Sequence, residues 1–97
     1  MENLIYSNEF LKRLEPFIVK NDLAAIQKIK EALGLISNEK AESVKLQNIK
    51  TKSKEDIFMT ALSIKKAEYN LFWVARGEQK ILITLTKGNE NNFCDKL

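Results

Sequence analysis

Asp56-Ile-Phe-Met-Thr-Ala-Leu-Ser-Ile64, Tyr69-Asn-Leu-Phe-Trp-Val-Ala75 and Lys80-Ile-Leu-Ile-Thr-Leu-Thr-Lys87 hold most of the chain's β-branched and aromatic residues. Such residues fit a pleated, half-buried surface. The stretch from Asp56 to Lys87 is punctuated at Lys65-Lys66-Ala67-Glu68 and at Arg76-Gly77-Glu78-Gln79, so it predicts three successive antiparallel strands. In the last of them Ile81, Ile83 and Leu85 alternate with Leu82, Thr84 and Thr86, which predicts one strongly apolar face and one mixed face. The middle segment, Leu71 to Ala75, is apolar on both sides and reads as a central strand covered on both faces.

Upstream of the sheet the periodicity changes. Residues 2–6 allow a short strand, and Ser7 is a good helix N-cap. Phe10, Leu11, Leu14, Phe17 and Ile18 then recur along one face of a helix. Pro16 lies inside that pattern, so a kink or restart is expected at Glu15-Pro16. Asn21-Asp22 makes a turn and cap before a second helix, whose buried stripe is Ala25, Ile26, Ile29, Ala32, Leu33 and Ile36, with Gly34 near its end. A connection this short folds the two helices into an antiparallel hairpin. From Ser37 to Glu55 the chain is polar and lysine-rich. It reads as irregular, with either a helical turn around Lys40–Lys45 or an extended piece over Lys45–Ile49. Residues 89–97 are polar and read as a flexible tail, with Phe93 as its one large anchor.

The expected class is therefore α+β, an N-terminal helix hairpin packed on a C-terminal antiparallel sheet of three to four strands. At 97 residues this is a single domain over 1–97 with one core. The absence of a long apolar run or a signal-like N-terminus points to a cytoplasmic protein without a membrane partner.

Composition removes several chemistries. There is no histidine and a single cysteine, Cys94, so Ser-His-Asp and Cys-His sites are excluded and a zinc site would lack its usual ligands. The three glycines are too scattered for a phosphate-cradling loop, so neither a metal nor a nucleotide cofactor is expected. Glu55 and Asp56 are adjacent and, in an extended chain, point to opposite faces, so they make no acid-base pair.

The net charge of +3 is unevenly placed: residues 40–66 carry seven lysines against Glu42, Glu55 and Asp56. Such a cluster either neutralises phosphates on a nucleic acid or forms a solvated edge that discourages strand-to-strand aggregation. Lys50, Lys52 and Lys54 alternate as extended residues do, which places them on one side.

Leu46-Gln47-Asn48-Ile49-Lys50, Ala61-Leu62-Ser63-Ile64, Tyr69 to Val74 and Lys80 to Lys87, following a helix hairpin over Glu9–Leu33, together resemble the RelE/ParE superfamily of small bacterial toxins. The likeness covers most of the chain. It implies a toxin of a type II toxin–antitoxin pair that cuts ribosome-bound messenger RNA or, in the other branch, poisons DNA gyrase, and that a partner antitoxin neutralises. Carried over residue by residue, the resemblance implies catalytic roles for Lys50, Lys52, Lys54 and Lys87. RNA contacts are expected from Lys45, Lys65, Lys66, Arg76 and Phe93, Arg76 being alternatively a hairpin-tip charge. Ser63 and Asn70 stand where the family usually has arginine, and Phe93 where it often has tyrosine, so any nuclease here relies on lysines. The alternative is a non-enzymatic interaction or inhibitor module.

Overall fold

The computed structural model describes residues 3–50 and 54–88, the side chains of 47–50 excepted. The expected Lys52 and Phe93 contacts, the Lys50 side chain and the tail at 89–97 lie outside the described residues. In chain order the elements are β1 (Leu4–Tyr6), α1 (Asn8–Val19), α2 (Leu23–Ser37), β2 (Val44–Lys50), β3 (Asp56–Ile64), β4 (Ala67–Arg76) and β5 (Gln79–Lys87). The class is α+β, with two helices and five strands among the described residues.

The sheet is larger than expected and it is mixed. Its order is β1-β5-β4-β3-β2. Strands β2 to β5 pair antiparallel, whereas β1 lies parallel to β5, from Leu4 opposite Lys80 to Tyr6 opposite Leu82. The extra strand is β2. Of the two alternatives for this polar segment the extended piece over Lys45–Ile49 is the one formed, within a longer strand; its apolar residues are sparse and Val44 is exposed, and backbone pairing with β3 holds it.

Both helices cover one face. Phe10 of α1 and Ala25, Ile29, Ala32, Leu33 and Ile36 of α2 pack with Leu4, Ile64, Leu71, Trp73, Leu82 and Leu85 in the main core. The second face holds Ile57, Phe72 and Val74, buried among Leu46, Met59, Ile81 and Ile83. Hence β4 is apolar on both sides, as its unbroken run Leu71–Val74 requires.

The expected face of Ile81, Ile83 and Leu85 is not formed. Trp73 pairs with Leu82 and Phe72 with Thr84, which leaves Ile83 as an extra residue on β5. A one-residue bulge inverts the alternation beyond it. Leu82 and Leu85 therefore share the helix-covered core, while Ile81 and Ile83 join the second face. Ser7 secures the irregular point: its backbone N–H donates to Leu82 O at 3.0 Å and its hydroxyl to Ile83 O at 2.6 Å. The same hydroxyl accepts from Phe10 N at 3.1 Å as the N-cap of α1. One residue thus ties the start of the first helix to the bulge of the last strand.

Pro16 does not restart α1, which runs unbroken from Asn8 to Val19. The proline removes only the bond to Lys12 O on an exposed side that water can reach, and its own carbonyl accepts Lys20 N at 3.1 Å. Gly34 lies in the last turn of α2, near its end as expected, and its carbonyl accepts from the C-cap Asn38 N–H. The α2 stripe otherwise agrees with expectation, Ile26 alone being only half-buried.

Candidate functional site: a divided set of lysines and a basic cleft

Strand register decides which of the expected site residues meet. Lys50 is paired with Asp56 at one end of β3, while Lys87 is paired with Tyr69, itself opposite Leu62 near the other end. The six residues between Asp56 and Leu62 correspond to about 20 Å of strand at ~3.3 Å per residue. Lys50 and Lys54 therefore stand at one end of the sheet and Lys87 at the other, so the expected catalytic set does not converge on one phosphate.

At the first end Arg76, Lys80 and Lys45 each face a carboxylate. Arg76 makes a two-pronged ion pair with Glu55, its Nε at 2.8 Å and its second nitrogen at 2.6 Å from the two carboxylate oxygens. That contact holds the guanidinium pKa above its ordinary value. Arg76 is thus a hairpin-tip charge at the end of β4 that is already paired with a carboxylate. Lys80, which nothing in the sequence singles out, has a side chain only 5% exposed, and its Nζ donates to Glu39 Oε1 at 3.0 Å. Lys45, opposite Phe58 on β2, lies 3.9 Å from Asp56 across a solvent-exposed gap. Lys54 is exposed in the β2–β3 connection with a left-handed φ of 63°.

At the second end the chain turns through Lys65 and Lys66, both left-handed at φ 49° and 70°, between paired Ile64 and Ala67. A two-residue hairpin needs that backbone to match strand twist, although lysine adopts it at a cost. Lys65 Nζ donates to Asp22 Oδ2 at 2.9 Å. Asp22 also caps α2 by accepting Ala25 N at 3.2 Å. Its carboxyl pKa is lowered, first by the Lys65 hydrogen bond and next by the Ala25 N–H.

Beside this turn the C-terminal half of α1 and the β4–β5 pair enclose an open cleft of about 390 Å³. Lys12, Arg13, Lys20 and Lys87 border it, with Phe17 and Tyr69 as its aromatic wall, their rings meeting edge-on at 5.8 Å. Asp22 is the one carboxylate in the lining. Arg13 reaches back along α1 to Glu9 Oε2 at 3.3 Å. Sequence reasoning misses Lys12, Arg13 and Lys20. They come from a segment whose charges nearly cancel along the chain, and only the docking of α1 on β5 collects them.

The other aromatic residues serve the core. Trp73 is buried, stacks on Phe58 at 4.8 Å between centroids and donates its indole N–H to Thr60 Oγ1 at 2.9 Å. Thr60 Oγ1 lies 2.7 Å from Ser43 Oγ, which completes a short polar chain. Thr84 and Thr86, expected on a mixed working face, are buried on the second face, and their hydroxyls have no hydrogen-bond partner among the described residues. The helix hairpin itself stays partly open: Leu11, Leu14, Phe17, Ile18, Ile26 and Leu33 line an apolar groove of about 240 Å³.

Among the described residues no group of three or more histidine, cysteine, aspartate or glutamate side chains is placed to hold a metal. No helix there is long and apolar enough to cross a membrane. No protein-family model, curated protein or solved structure matches the chain.

Proposed function

We propose that the chain is the toxin component of a type II toxin–antitoxin pair, of the RelE/ParE kind, and that it inhibits translation by cutting ribosome-bound messenger RNA. The observation that carries this reading is the order of elements: a short strand, a helix hairpin, a lysine-bearing strand, and a three-stranded meander that closes on Lys87. The chemistry such a toxin performs needs neither histidine nor metal. A base removes the 2′-hydroxyl proton, the oxygen attacks phosphorus in line, the 5′-oxygen leaves with a proton, and cations stabilise the charged transition state. Lys50, Lys52 and Lys54 are one candidate set for that work and Lys87 the other. With about 20 Å of strand between the backbone positions of Lys50 and Lys87, a single phosphate is served by one of those two ends only. The open apolar groove between α1 and α2 supports a protein partner, the antitoxin, since exposed apolar surface of this kind marks interaction sites.

Induced expression without a partner is expected to arrest growth with a halt in protein synthesis and cleaved messenger RNA. Unaffected growth and translation would remove the proposal, and arrest accompanied by DNA damage would move it to the gyrase branch. Alanine at Lys50, Lys52 and Lys54 together, set against Lys87→Ala, tells which end cuts.

A second reading, a non-enzymatic module that holds another macromolecule, is favoured by one observation: the lysines expected to act together are divided between the two sheet ends. That reading requires stable association with a target and no cleavage by any preparation of the chain.

A further inference from the structure

We infer that the cleft between α1 and the β4–β5 pair binds the phosphate backbone of single-stranded RNA, with Lys12, Lys20 and Lys87 as phosphate contacts and Tyr69 as a stacking surface for a base. The inference rests on the toxin reading only in choosing RNA over DNA; the cleft itself is argued from its own geometry.

Four cations border the cleft against one carboxylate in its lining, Arg13 among them being answered by Glu9 along α1. That carboxylate, Asp22, already answers Lys65 at 2.9 Å, so it opposes a bound anion weakly. Lys12 and Lys20 are exposed; Lys12 has no ion pair among the described residues, and Lys20 meets only the longer-range attraction of Asp22, whose pKa it helps to lower. They lie eight residues apart on α1 and its C-cap, with uncharged Pro16 between them at the i+4 position. Eight residues correspond to about 12 Å along a helix at 1.5 Å per residue. Two lysines so spaced can each take a different phosphate of one strand. The aromatic wall supplies what a bare polyanion site lacks. Tyr69 is half-buried and braced by Phe17, and a braced ring on the side of a cationic groove is the usual platform for an unpaired base. Tyr69 lines the cleft, and a base of a single strand is free to stack on it, whereas bases in a duplex already have their faces covered by their neighbours. The Lys65–Lys66 turn continues the positive surface beyond the cleft, and Lys66 is exposed at its tip.

The test is fluorescence anisotropy of the full chain with a short labelled oligo(U), titrated between about 50 and 200 mM salt. Single strands lose roughly 0.7 in the log–log salt slope per phosphate contact, so the three contacts predict a slope of about −2. The K12Q/K20Q double variant should shed about 1.4 of that slope and bind several-fold more weakly. Tyr69→Ala should weaken binding while leaving the slope unchanged. Lys12 and Lys20 are exposed, so an unchanged circular dichroism spectrum is expected to accompany the loss. Parallel titrations use the deoxy oligonucleotide, an RNA duplex and polyglutamate. Oligo(U) is expected to bind best. No binding by the wild-type chain overturns the proposal, and so does unaltered binding by K12Q/K20Q. Preference for the duplex, or equal competition by polyglutamate at matched charge, overturns it as well, the latter in favour of an acidic protein segment.

The failures of the two proposals are separable. A chain that arrests translation undiminished when K12Q/K20Q has normal RNA affinity loses this site and keeps the toxin reading. A chain that never arrests growth but loses RNA affinity through K12Q/K20Q keeps the site and loses the toxin reading.

Discussion

The two ends of the sheet handle positive charge in opposite ways. Where β4 turns into β5, Arg76 is clasped by Glu55 and the nearly buried Lys80 is answered by Glu39. Where β3 turns into β4 and β5 ends, Asp22 answers Lys65 and Glu9 answers Arg13, while Lys12 beside them has no ion pair among the described residues and Lys20 meets Asp22 only at longer range. A nearly buried cation without its counter-charge is costly, so the Lys80–Glu39 pair serves stability, whereas the exposed Arg76–Glu55 pair contributes little to folding and chiefly occupies its cation. Exposed cations gathered around an aromatic cleft contribute little to folding and leave a local field to spare. The difference teaches that charge density along the chain and charge density in space are separate quantities.

The contrast breaks most severely at Trp73. Its ring fills the core near the paired end, and its N–H satisfies Thr60. Trp73→Ala should cost about 3–5 kcal/mol, as expected for deleting a large core aromatic side chain. Urea denaturation followed by circular dichroism measures it. A loss no larger than that of half-buried Tyr69→Ala would mean that the two ends share stability evenly.

A smaller loss is expected from Glu39→Gln. The Lys80 ammonium is then left in a site only 5% exposed, without its anion. Breaking a fully buried pair costs ~3–5 kcal/mol, but Glu39 itself is 76% exposed, so solvent screening reduces the expected value to about 1–2 kcal/mol. Lys80→Met should recover most of that loss in the Glu39→Gln background, because a methionine of similar length needs no counter-charge. A double-mutant cycle reads the coupling, and additive effects would show that the pair is incidental.

Much of this division was hidden in the sequence, and the reasons are physical. The α2 stripe and the doubly apolar β4 were legible because each buries a continuous pattern, at helical or strand period, that no other arrangement satisfies. The parallel seat of β1 beside β5 was not, since three residues carry no pairing information. The bulge at Ile83 escaped for a different reason: Ile81, Ile83 and Leu85 alternate correctly, and only a hydrogen-bonding partner outside the strand, Ser7, fixes the slip. For the candidate site, the alternating lysines 50, 52 and 54 were conspicuous because they are close together in the chain. Lys12, Arg13 and Lys20 were not, because Glu9 and Glu15 offset them along the sequence. The register of β5, which sets Lys87 beside α1, was needed to join them. One local signal existed: Lys12, Pro16 and Lys20 at i, i+4 and i+8, a helix face without an acid.

The smallest expected stability effect lies at the open end and is a matter of pH. Asp22 has its pKa lowered below the ordinary 3.8, so the folded chain holds that proton less tightly than the unfolded chain does. Its contribution is therefore complete above pH 3.8 and is lost as pH falls through the lower folded value. Asparagine caps a helix about as well as aspartate, so Asp22→Asn keeps the cap of α2 and removes chiefly the attraction to Lys65. That lysine is 65% exposed, which keeps the effect small and salt-sensitive. Denaturation midpoints of the two proteins should differ at neutral pH and converge in acid. A gap that persists below the folded pKa would assign the effect to the cap instead of the ion pair. The same substitution sharpens the comparison between the ends. It deletes the single carboxylate lining the cleft and releases Lys65 toward it, so the variant should lose stability slightly while binding single-stranded RNA more tightly and with a steeper salt dependence. The equivalent change at the paired end, Glu55→Gln beside Arg76, also releases a cation, but one that faces no cleft. It should leave RNA affinity within experimental error, and a gain there equal to that of Asp22→Asn would show that overall charge, not the α1–β5 cleft, attracts the RNA.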